Sequence, residues 1–560
     1  MIERDPYSSE AYYYLAMSQF ALGRDKQAER NLYYIWPDSP YFGEREHWLG
    51  RQAMLAGDYD GAIGHLKRAI ASNANDLLSR LMLAASDRTV GANAAALAEL
   101  AEVERIDPTS RPAVAERFLL TGDPAAKVEL VRLMGGQSQE ALEVSSFYRH
   151  LQRWTDAVRI LRLAEEKNHD PWGTPPEFYY TLAWVERRSG DLAAAAESLK
   201  RARAAAANID RFPYREDSEA PLAEAVSIDP NDGVARFALG CLLYYRERQP
   251  EAIRQWEAAV AAHPDDFSAR RALGLAYAEQ GAGVDKAAAQ LERAVELNPA
   301  HVRTLNDLST LYARAGRFDD QLTVLEKALR RSPADDDLAE GVLTANLSKG
   351  RYDEAARMVE SHRFAPRHRT YGLRDKYRMM RYATGAQAFQ RKDYATALEM
   401  FAAALKPPVS LGVDDFQFLT SPRQAYYSGR ALEALGKTAE ARQTYEKGVA
   451  GVAQLSGDRD SWNSENYFMV LSLDRIGRSA EAASLEKHFE NFAESELESK
   501  TAEHRAEARY LLGLIRKHQG RAAEARQLMS GAVEALPDLL AARLELRGDV
   551  LDPLPASAAR

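Results

Sequence analysis

The 560-residue chain has one cysteine, Cys241, and no uncharged apolar run of about 18 residues that could cross a membrane. A single cysteine excludes an internal disulfide framework and, without a CxxC pair, a cysteine-based zinc module. The first ten residues, MIERDPYSSE, lack the basic and apolar stretches of a secretory leader. These absences predict a chain without a membrane span, for which the cytoplasm is the expected location.

An excess of positive charge is also missing. Lysine and arginine number 73 against 82 aspartate and glutamate, and the resulting net charge of −9 is spread along the chain. This balance argues against broad binding of nucleic acid or anionic membranes. Alanine, the strongest helix former, accounts for 96 residues, so the composition favours helices throughout.

A set of residues recurs in the order Leu-Gly, aromatic, Ala, large apolar, Ala, Pro, with a step of 34 positions at Leu-Gly and of 33 to 35 at the others. The first copy is Leu239, Gly240, Tyr244, Ala252, Trp256, Ala259 and Pro264. The second copy is Leu273, Gly274, Tyr277, Ala287, Leu291, Ala294 and Pro299. Such periods are typical of repeat proteins in which each unit buries its apolar face against its neighbours.

Each unit has two apolar stretches of helical period separated by a glycine or polar break, which predicts a hairpin of helices A and B. The axes must approach to about 8–10 Å, so small residues are needed where the two helices cross. A large residue then fills the gap four positions after the first alanine of helix B. It is found as Leu66, Leu199, Trp256, Phe401 and Tyr445.

The pattern resembles the tetratricopeptide repeat (TPR) family, and the resemblance covers most of the chain. It implies an all-α, right-handed α-solenoid of about 12–14 helical hairpins. Register changes divide the chain into blocks. We expect regular repeats over 1–108 and 231–370, degenerate repeats over 109–230, longer repeats over 371–551 with a terminal helix at 539–546, and a disordered tail over 552–560.

The family lines its inner surface mainly with helix A, and this role is carried onto matching positions here. They are Tyr13, Met17, Phe20, His47, Arg51, Tyr180, Trp184, Arg187, Phe237, Cys241, Tyr244, Arg271 and Asn306. The resemblance therefore implies a scaffold that binds a protein or peptide on a mixed aromatic and basic surface. No helix A carries the Lys and Asn pair of the family's chaperone-tail clamp, so recognition of chaperone tails is not expected.

A narrower resemblance lies in the last third, over 377–404, 408–413 and 427–432. This region is similar to the C-terminal repeats of large bacterial proteins whose N-terminal half is a β-sandwich domain of unknown function. The chain has Ser410 where those relatives more often have asparagine, and the sandwich is absent. The alternative that follows is an accessory region of a larger carbohydrate-related enzyme or binding protein.

Catalytic and cofactor motifs are weak or missing. Gly436-Lys437-Thr438 resembles the end of a phosphate-binding loop, but Ala431 stands where the first glycine is required and no strand precedes it. The eleven histidines show no HxxxH spacing, and no GxSxG motif is present. We expect no enzyme activity, no cofactor and no metal.

Two clusters of residues have more than one possible role. Twelve aromatic residues in the first 59 can form a protein or domain interface, ordinary core or a sugar-stacking platform. The basic segment 361–382, which carries a net charge of +6, can be a paired structural face or a phosphate or glycan contact.

The first helical hairpin also starts out of register, because Pro6 falls where a repeat ends. The start of the chain therefore predicts an interrupted repeat, which implies either that Met1 lies inside a longer protein or that an upstream domain packs on this end as a separate chain.

Overall fold

The computed structural model describes residues 7–166, 173–205, 212–366, 371–413, 421–455 and 461–555. Over these residues the chain forms thirty α-helices, three short 3-10 turns and no strand. The predicted all-α class is therefore confirmed. None of the helices in these ranges combines the length and apolar character needed to cross a lipid bilayer.

The chain divides into two compact units, Met1–Leu273 and Gly274–Arg560. The first unit holds α1 (Ser9–Ala21), α2 (Asp25–Leu32), α3 (Phe42–Leu55), α4 (Tyr59–Ser72), α5 (Leu77–Thr89), α6 (Asn93–Ile106), α7 (Arg111–Thr121), α8 (Pro124–Met134), α9 (Ser138–His150), α10 (Trp154–Glu166), α11 (Pro176–Ser189), α12 (Leu192–Ala204), α13 (Glu219–Ile228), α14 (Gly233–Tyr245) and α15 (Gln249–Ala262). The boundary falls within α16 (Phe267–Glu279). The finer division into blocks stays a sequence-based prediction.

The second unit holds α17 (Val284–Leu297), α18 (Val302–Arg314), α19 (Phe318–Arg331), α20 (Asp336–Lys349), α21 (Tyr352–Ser361), α22 (Tyr371–Gln390), α23 (Tyr394–Ala403), α24 (Pro422–Ala434), α25 (Thr438–Val449), α26 (Phe468–Arg475), α27 (Ser479–Glu496), α28 (Ala502–His518), α29 (Ala522–Ala535) and α30 (Leu540–Arg547). Among the described residues, thirteen hairpins of consecutive helices pack together: six within α1–α12, one formed by α14 and α15, and six within α18–α29. This number lies within the predicted 12–14.

The close approach of helices A and B depends on the small residues that the sequence predicts. A Cβ atom at Gly240 would lie 2.4 Å from Nε1 of Trp256, and one at Gly429 would lie 2.3 Å from the ring of Tyr445. Both large partners are buried. The spacing between the small and the large residue in the sequence therefore corresponds to a direct contact across the hairpin.

Helix ends follow the local sequence. Asp58, Asp76 and Asp191 cap their helices by accepting a hydrogen bond from a backbone N–H of the first turn. Helices α6 and α13 have Asp107 and Asp229 as their C-cap residues, each of which precedes a proline. A residue before proline disfavours the helical conformation, which explains why helix B stops there.

The terminal helix α30 begins and ends one residue later than the predicted 539–546. The expected disordered tail 552–560 is corrected in its first four residues, because Asp552 is hydrogen-bonded to the rest of the second unit and Leu554 is buried. Its remaining residues, 556–560, lie outside the described residues, as does the predicted interrupted repeat around Pro6.

Candidate functional site

Aromatic and basic side chains meet on helix A of the first two hairpins. The ring of Phe20 on α1 stacks on Trp48 of α3, with centroids 4.9 Å apart. The guanidinium of Arg51, one turn farther along α3, lies over the same indole at 5.3 Å. Tyr13 stacks on Tyr41 at 5.1 Å. Together Tyr13, Phe20, Trp48 and Arg51 form a half-buried strip, the N-terminal strip, that presents flat apolar rings beside a cation.

Trp48 was not among the predicted contact residues, although it lies one turn before Arg51 on the same helix. A helical residue two positions from a predicted lining residue faces away, but one three positions away shares its face. The periodicity of α3 therefore contained the signal that would have identified this residue.

His47, also predicted to contact a ligand, is buried and makes its hydrogen bond to the adjacent hairpin. Its Nδ1 lies 2.7 Å from the hydroxyl of Ser79, and Asp76 accepts a hydrogen bond from the Ser79 backbone N–H at the start of α5. Burial tends to raise the pKa of Asp76, but hydrogen bonds from His47 and Ser79 outweigh it and lower that pKa to about 2. His47 thus orders a helix end instead of facing a ligand.

Asp76→Asn is expected to reduce stability at neutral pH while keeping the cap, since an asparagine oxygen accepts the same backbone hydrogen bond. A depressed carboxyl pKa stabilises the folded state above the ordinary value of 3.8. The difference between wild type and variant should therefore disappear as the pH falls from about 4 to 2. Urea unfolding at several pH values measures it, and a difference that grows in acid would contradict this assignment.

Tyr180 and Phe237 correct the predicted lining, because both are buried. The hydroxyl of Tyr180 donates to Asp232 at 2.7 Å, and Asp232 caps α14 while pairing with Arg203 at 2.9 Å. Phe237 packs inside the first unit, and its carbonyl oxygen accepts a hydrogen bond from Trp256. The Tyr180 hydrogen bond joins α11 to the start of α14, and neither buried ring is available to a ligand.

Tyr180→Phe is expected to lower the free energy of unfolding by about 1–2 kcal/mol, because it removes a buried hydrogen bond to a charged acceptor. Partner binding should be unchanged, since the ring faces the interior. Denaturant unfolding tests the first statement. A variant as stable as wild type would show that Asp232 does not depend on this hydroxyl.

Trp184 and Arg187 lie at the edge of a second aromatic group on α10 and α11. The Trp184 ring meets Trp154 edge-on at 5.2 Å and is covered by the guanidinium of Arg188 at 4.0 Å. Arg187 and Arg188 both bind the carboxylate of Glu224, at 3.0 and 2.8 Å. The charge of Arg187 is therefore compensated within the chain. The sequence did not identify three residues of this group: Trp154 and Glu224, which lie on other helices, and Arg188, which directly follows Arg187.

The remaining predicted residues are half-buried and separate from these groups. Tyr244 packs at 5.4 Å against Trp256, Arg271 lies on α16 in the first unit, and Asn306 lies on α18 in the second. Burial raises the pKa of the Cys241 thiol to about 12. At neutral pH this cysteine is therefore a protonated thiol and not a thiolate nucleophile.

In the second unit, helix A binds a segment of the chain itself. Residues 548–555, here called the C-terminal segment, cross α22 and α24. The side-chain amide of Gln390 donates to the carbonyl oxygens of Gly548 and Val550 at 2.8 and 2.9 Å. Asp552 accepts hydrogen bonds from the Tyr426 hydroxyl at 3.0 Å and from Arg430 at 2.6 Å. The segment is therefore held by its backbone carbonyls, by the carboxylate of Asp552 and by its buried apolar side chains.

The positions used in this contact match those that the sequence analysis assigned to ligand binding. Tyr426 and Arg430 lie three residues before and one residue after the small residue Gly429, as Phe237 and Cys241 do around Gly240. Phe237 is buried, so the equivalence is one of sequence position alone, and ligand binding at the predicted residues stays a prediction.

Several basic residues of the segment 361–382 have partners within the chain. Arg378 binds Glu465 at 2.8 Å, Lys376 binds Glu340, and Arg381 lies over the ring of Tyr377 at 5.2 Å. These contacts favour the structural interpretation of this segment over a phosphate or glycan contact. Arg367 and Arg369 lie outside the described residues.

The aromatic residues near the start of the chain divide between core and surface. Tyr12 stacks on Tyr34 at 4.7 Å, whereas Tyr14, Tyr33 and Trp36 are more than half exposed. Exposed rings concentrated at one helical hairpin are typical of a contact surface.

Comparisons with known proteins agree with the repeat pattern. The family model described as tetratricopeptide repeat matches residues 237–283, 282–336, 306–369 and 469–539. The chain therefore contains such repeats, as predicted. The narrower resemblance to bacterial proteins with a β-sandwich domain stays a prediction. No curated protein matches the sequence.

Solved structures with similar helical repeats include YrrB, described as a TPR protein with an unusual peptide-binding site. It is 19% identical over 43% of this chain and 96% of its own, with a TM-score of 0.17. Yeast Tom70 is 14% identical over 90% and 96%, with a TM-score of 0.27. A tetratricopeptide repeat protein from Parabacteroides merdae is 13% identical over 60% and 98%, with a TM-score of 0.23.

Proposed function

We propose that this chain, which contains tetratricopeptide repeats, is a non-catalytic scaffold that binds a protein or peptide partner on its helix-A surface. Helical hairpins stacked through small residues present consecutive A helices side by side. Such a surface suits extended peptides, whose backbone and side chains can be contacted by several helices at once. A cytoplasmic location belongs to the same proposal.

The observation that carries this proposal is the C-terminal segment on α22 and α24. Gln390 contacts backbone carbonyls, which any extended peptide offers, whereas Tyr426 and Arg430 contact a carboxylate, which is specific. A charge-assisted hydrogen bond of this kind is about twice as strong as a neutral one. The chain thus supplies an example of the ligand chemistry that its own helices accept.

The N-terminal strip offers the same combination in the first unit. Arg51 can pair with a ligand carboxylate, while Trp48, Phe20 and Tyr13 can pack against apolar side chains or proline rings. We therefore propose an extended peptide with acidic and apolar residues as the partner of this strip. Trp184, Arg187, Tyr244, Arg271 and Asn306 are proposed as flanking contacts.

Peptide display against the full chain tests the proposal, followed by affinity measurements on the selected peptides with Arg51→Gln and Trp48→Ala. Each variant should weaken binding about tenfold or more, because it removes a charged or aromatic anchor. Arg105→Gln is the matched control, since Arg105 is well exposed on α6 and its one ion pair among the described residues is with Glu102 of the same helix. Selected peptides that bind all variants equally would place the site elsewhere.

The exposed rings of Tyr14, Tyr33 and Trp36 support a second contact, with a folded domain that packs on α1 and α2. Replacing all three by serine should leave peptide binding by Arg51 unchanged if the two surfaces act separately. No observation on the described residues singles out the carbohydrate-related alternative, which stays a prediction.

A further inference from the structure

Three consecutive helices of the second unit meet at one histidine. His518, in the last turn of α28, has its Nδ1 2.6 Å from a carboxylate oxygen of Glu486 on α27. Its Nε2 lies 3.1 Å from a carboxylate oxygen of Asp474 on α26. All three side chains are partly exposed, so the ring can exchange its proton with water. One imidazole therefore joins the end of α28 to both preceding helices.

The positions of both ring nitrogens fit the doubly protonated form of His518. A neutral imidazole has one N–H donor and one bare nitrogen, whose lone pair would then face a carboxylate oxygen. The imidazolium instead offers an N–H to each carboxylate, and a charged donor makes the stronger contact. The last turn of a helix also favours a cation, because the backbone carbonyls there carry partial negative charge.

The Glu486 carboxylate is fixed by two further donors. The hydroxyl of Tyr467 donates to it at 2.6 Å, and the side-chain amide of Gln519 donates at 3.1 Å. Burial tends to raise the pKa of Glu486, but the hydrogen bonds from His518 and these two donors outweigh it and lower that pKa. Burial raises the pKa of Tyr467 well above its usual value of 10. Both groups therefore keep their charge around neutral pH, where histidine titrates.

The arginine and lysine side chains within four residues of these three groups have carboxylate partners of their own. The pairs are Arg475 with Glu433, Arg478 with Glu481, Lys487 and Arg516 with Glu490, Lys517 with Glu545, and Arg521 with Glu524. The hydrogen bond to Glu486, together with the charge of Asp474, raises the pKa of His518 above its ordinary value of 6.5, although burial acts in the opposite direction.

We propose that His518 is a pH-sensitive clamp, whose protonated ring ties the end of α28 to α26 and α27 and whose deprotonation loosens this junction. Because the folded state favours the charged ring, the clamp stabilises the junction fully below about pH 6.5, the ordinary value for histidine. The stabilisation is lost as the pH rises through the point at which His518 titrates in the folded chain. This inference concerns the fold of the second unit and not the proposed peptide surface.

Histidine-selective NMR on the full chain tests the protonation state. The signals of the eleven histidines are followed through neutral pH, and the signal that His518→Gln removes belongs to His518. It should titrate above 6.5, and Glu486→Gln should move its titration to lower pH, because the variant removes a charge that favours the imidazolium. Titration of His518 at or below 6.5, or an unchanged titration in Glu486→Gln, would overturn the proposal.

Hydrogen exchange measured by mass spectrometry tests the loosening, by comparing wild type with His518→Gln at equal pH over 470–480 and 511–520. Below the NMR midpoint the variant should exchange about fivefold faster or more, since it lacks the charge-assisted contacts, and above the midpoint the difference should disappear. His488→Gln is the control, because His488 is exposed on α27 and its Nδ1 lies 2.8 Å from the backbone carbonyl of Ser484 instead of a carboxylate. Circular dichroism confirms that both variants are folded. No difference below the midpoint, an equal difference above it, or the same effect in His488→Gln would show that the proton on His518 does not hold the junction.

Discussion

Replacing Gly429 by alanine is expected to lower the free energy of unfolding of the second unit by about 3 kcal/mol. The new Cβ atom would lie 2.3 Å from Cε1 and 2.6 Å from Cζ of Tyr445. Tyr445 is 1% exposed and its ring is rigid, so either α24 or α25 must move to relieve the overlap. Chemical denaturation of the purified full chain measures this loss.

Gly531→Ala is the matched control for this effect, because Gly531 also lies inside a helix of the second unit. Its added Cβ would meet only the flexible side chain of Arg509 at 3.6 Å. Alanine is the better helix former, so this variant should be more stable than wild type by about 0.5–1 kcal/mol. If both variants change stability equally, the predicted contact between small and large residues is wrong.

Replacing Arg547 by methionine is expected to release the C-terminal segment and to destabilise the second unit by about 2–3 kcal/mol. The guanidinium donates to the carbonyl oxygen of Leu347 at 3.0 Å and to the hydroxyl of Tyr352 at 2.7 Å. It also binds Asp549 at 2.9 Å, at the start of the segment. Its loss removes several hydrogen bonds to part-buried groups while keeping the apolar stem.

Hydrogen exchange measured by mass spectrometry should detect this release as faster exchange over 540–555, with little change in α28 and α29. The control is Arg442→Met, because Arg442 is exposed on α25 and, in the part of the chain that the structure describes, pairs with Glu446 of the same helix alone. Unchanged exchange over 540–555 in the Arg547 variant would mean that other contacts hold the segment.

The repeat, the helix ends and the contact between small and large residues were predictable because they depend on residues close in sequence. Gly429 and Tyr445 are 16 positions apart, within one hairpin, and the same spacing joins Gly240 and Trp256. Capping by Asp58 and termination before Pro108 depend on even shorter stretches. Helical periodicity and turn chemistry act at this range.

The site was predicted only in part, because the period of a helix shows which residues share a face but not what covers that face. By register Tyr180 occupies a lining position, yet its side chain is buried and donates a hydrogen bond to Asp232 at the start of α14. Arg547 contacts Leu347, which lies 200 positions earlier, and no local pattern encodes such a pairing. Tyr13, Phe20 and Arg51 lie close together because α1 and α3 belong to adjacent hairpins, and their role in ligand binding stays a prediction.

The most direct test of the peptide-binding proposal uses the C-terminal segment as a separate peptide. In the full chain, Asp549→Ala together with Asp552→Lys removes the contacts with Tyr352, Tyr426 and Arg430 and should free the helix-A surface. Fluorescence anisotropy with a labelled peptide of residues 546–555 then measures binding to this variant and to wild type.

If helix A of the second unit binds extended peptides, the labelled peptide should bind saturably to the variant and much more weakly to wild type, whose surface is occupied by its own segment. A peptide carrying the same two substitutions is the control and should not bind. Hydrogen exchange shows whether the segment is released in the variant. If it is released and the unmodified peptide still fails to bind, helix A of the second unit is not a peptide-binding surface.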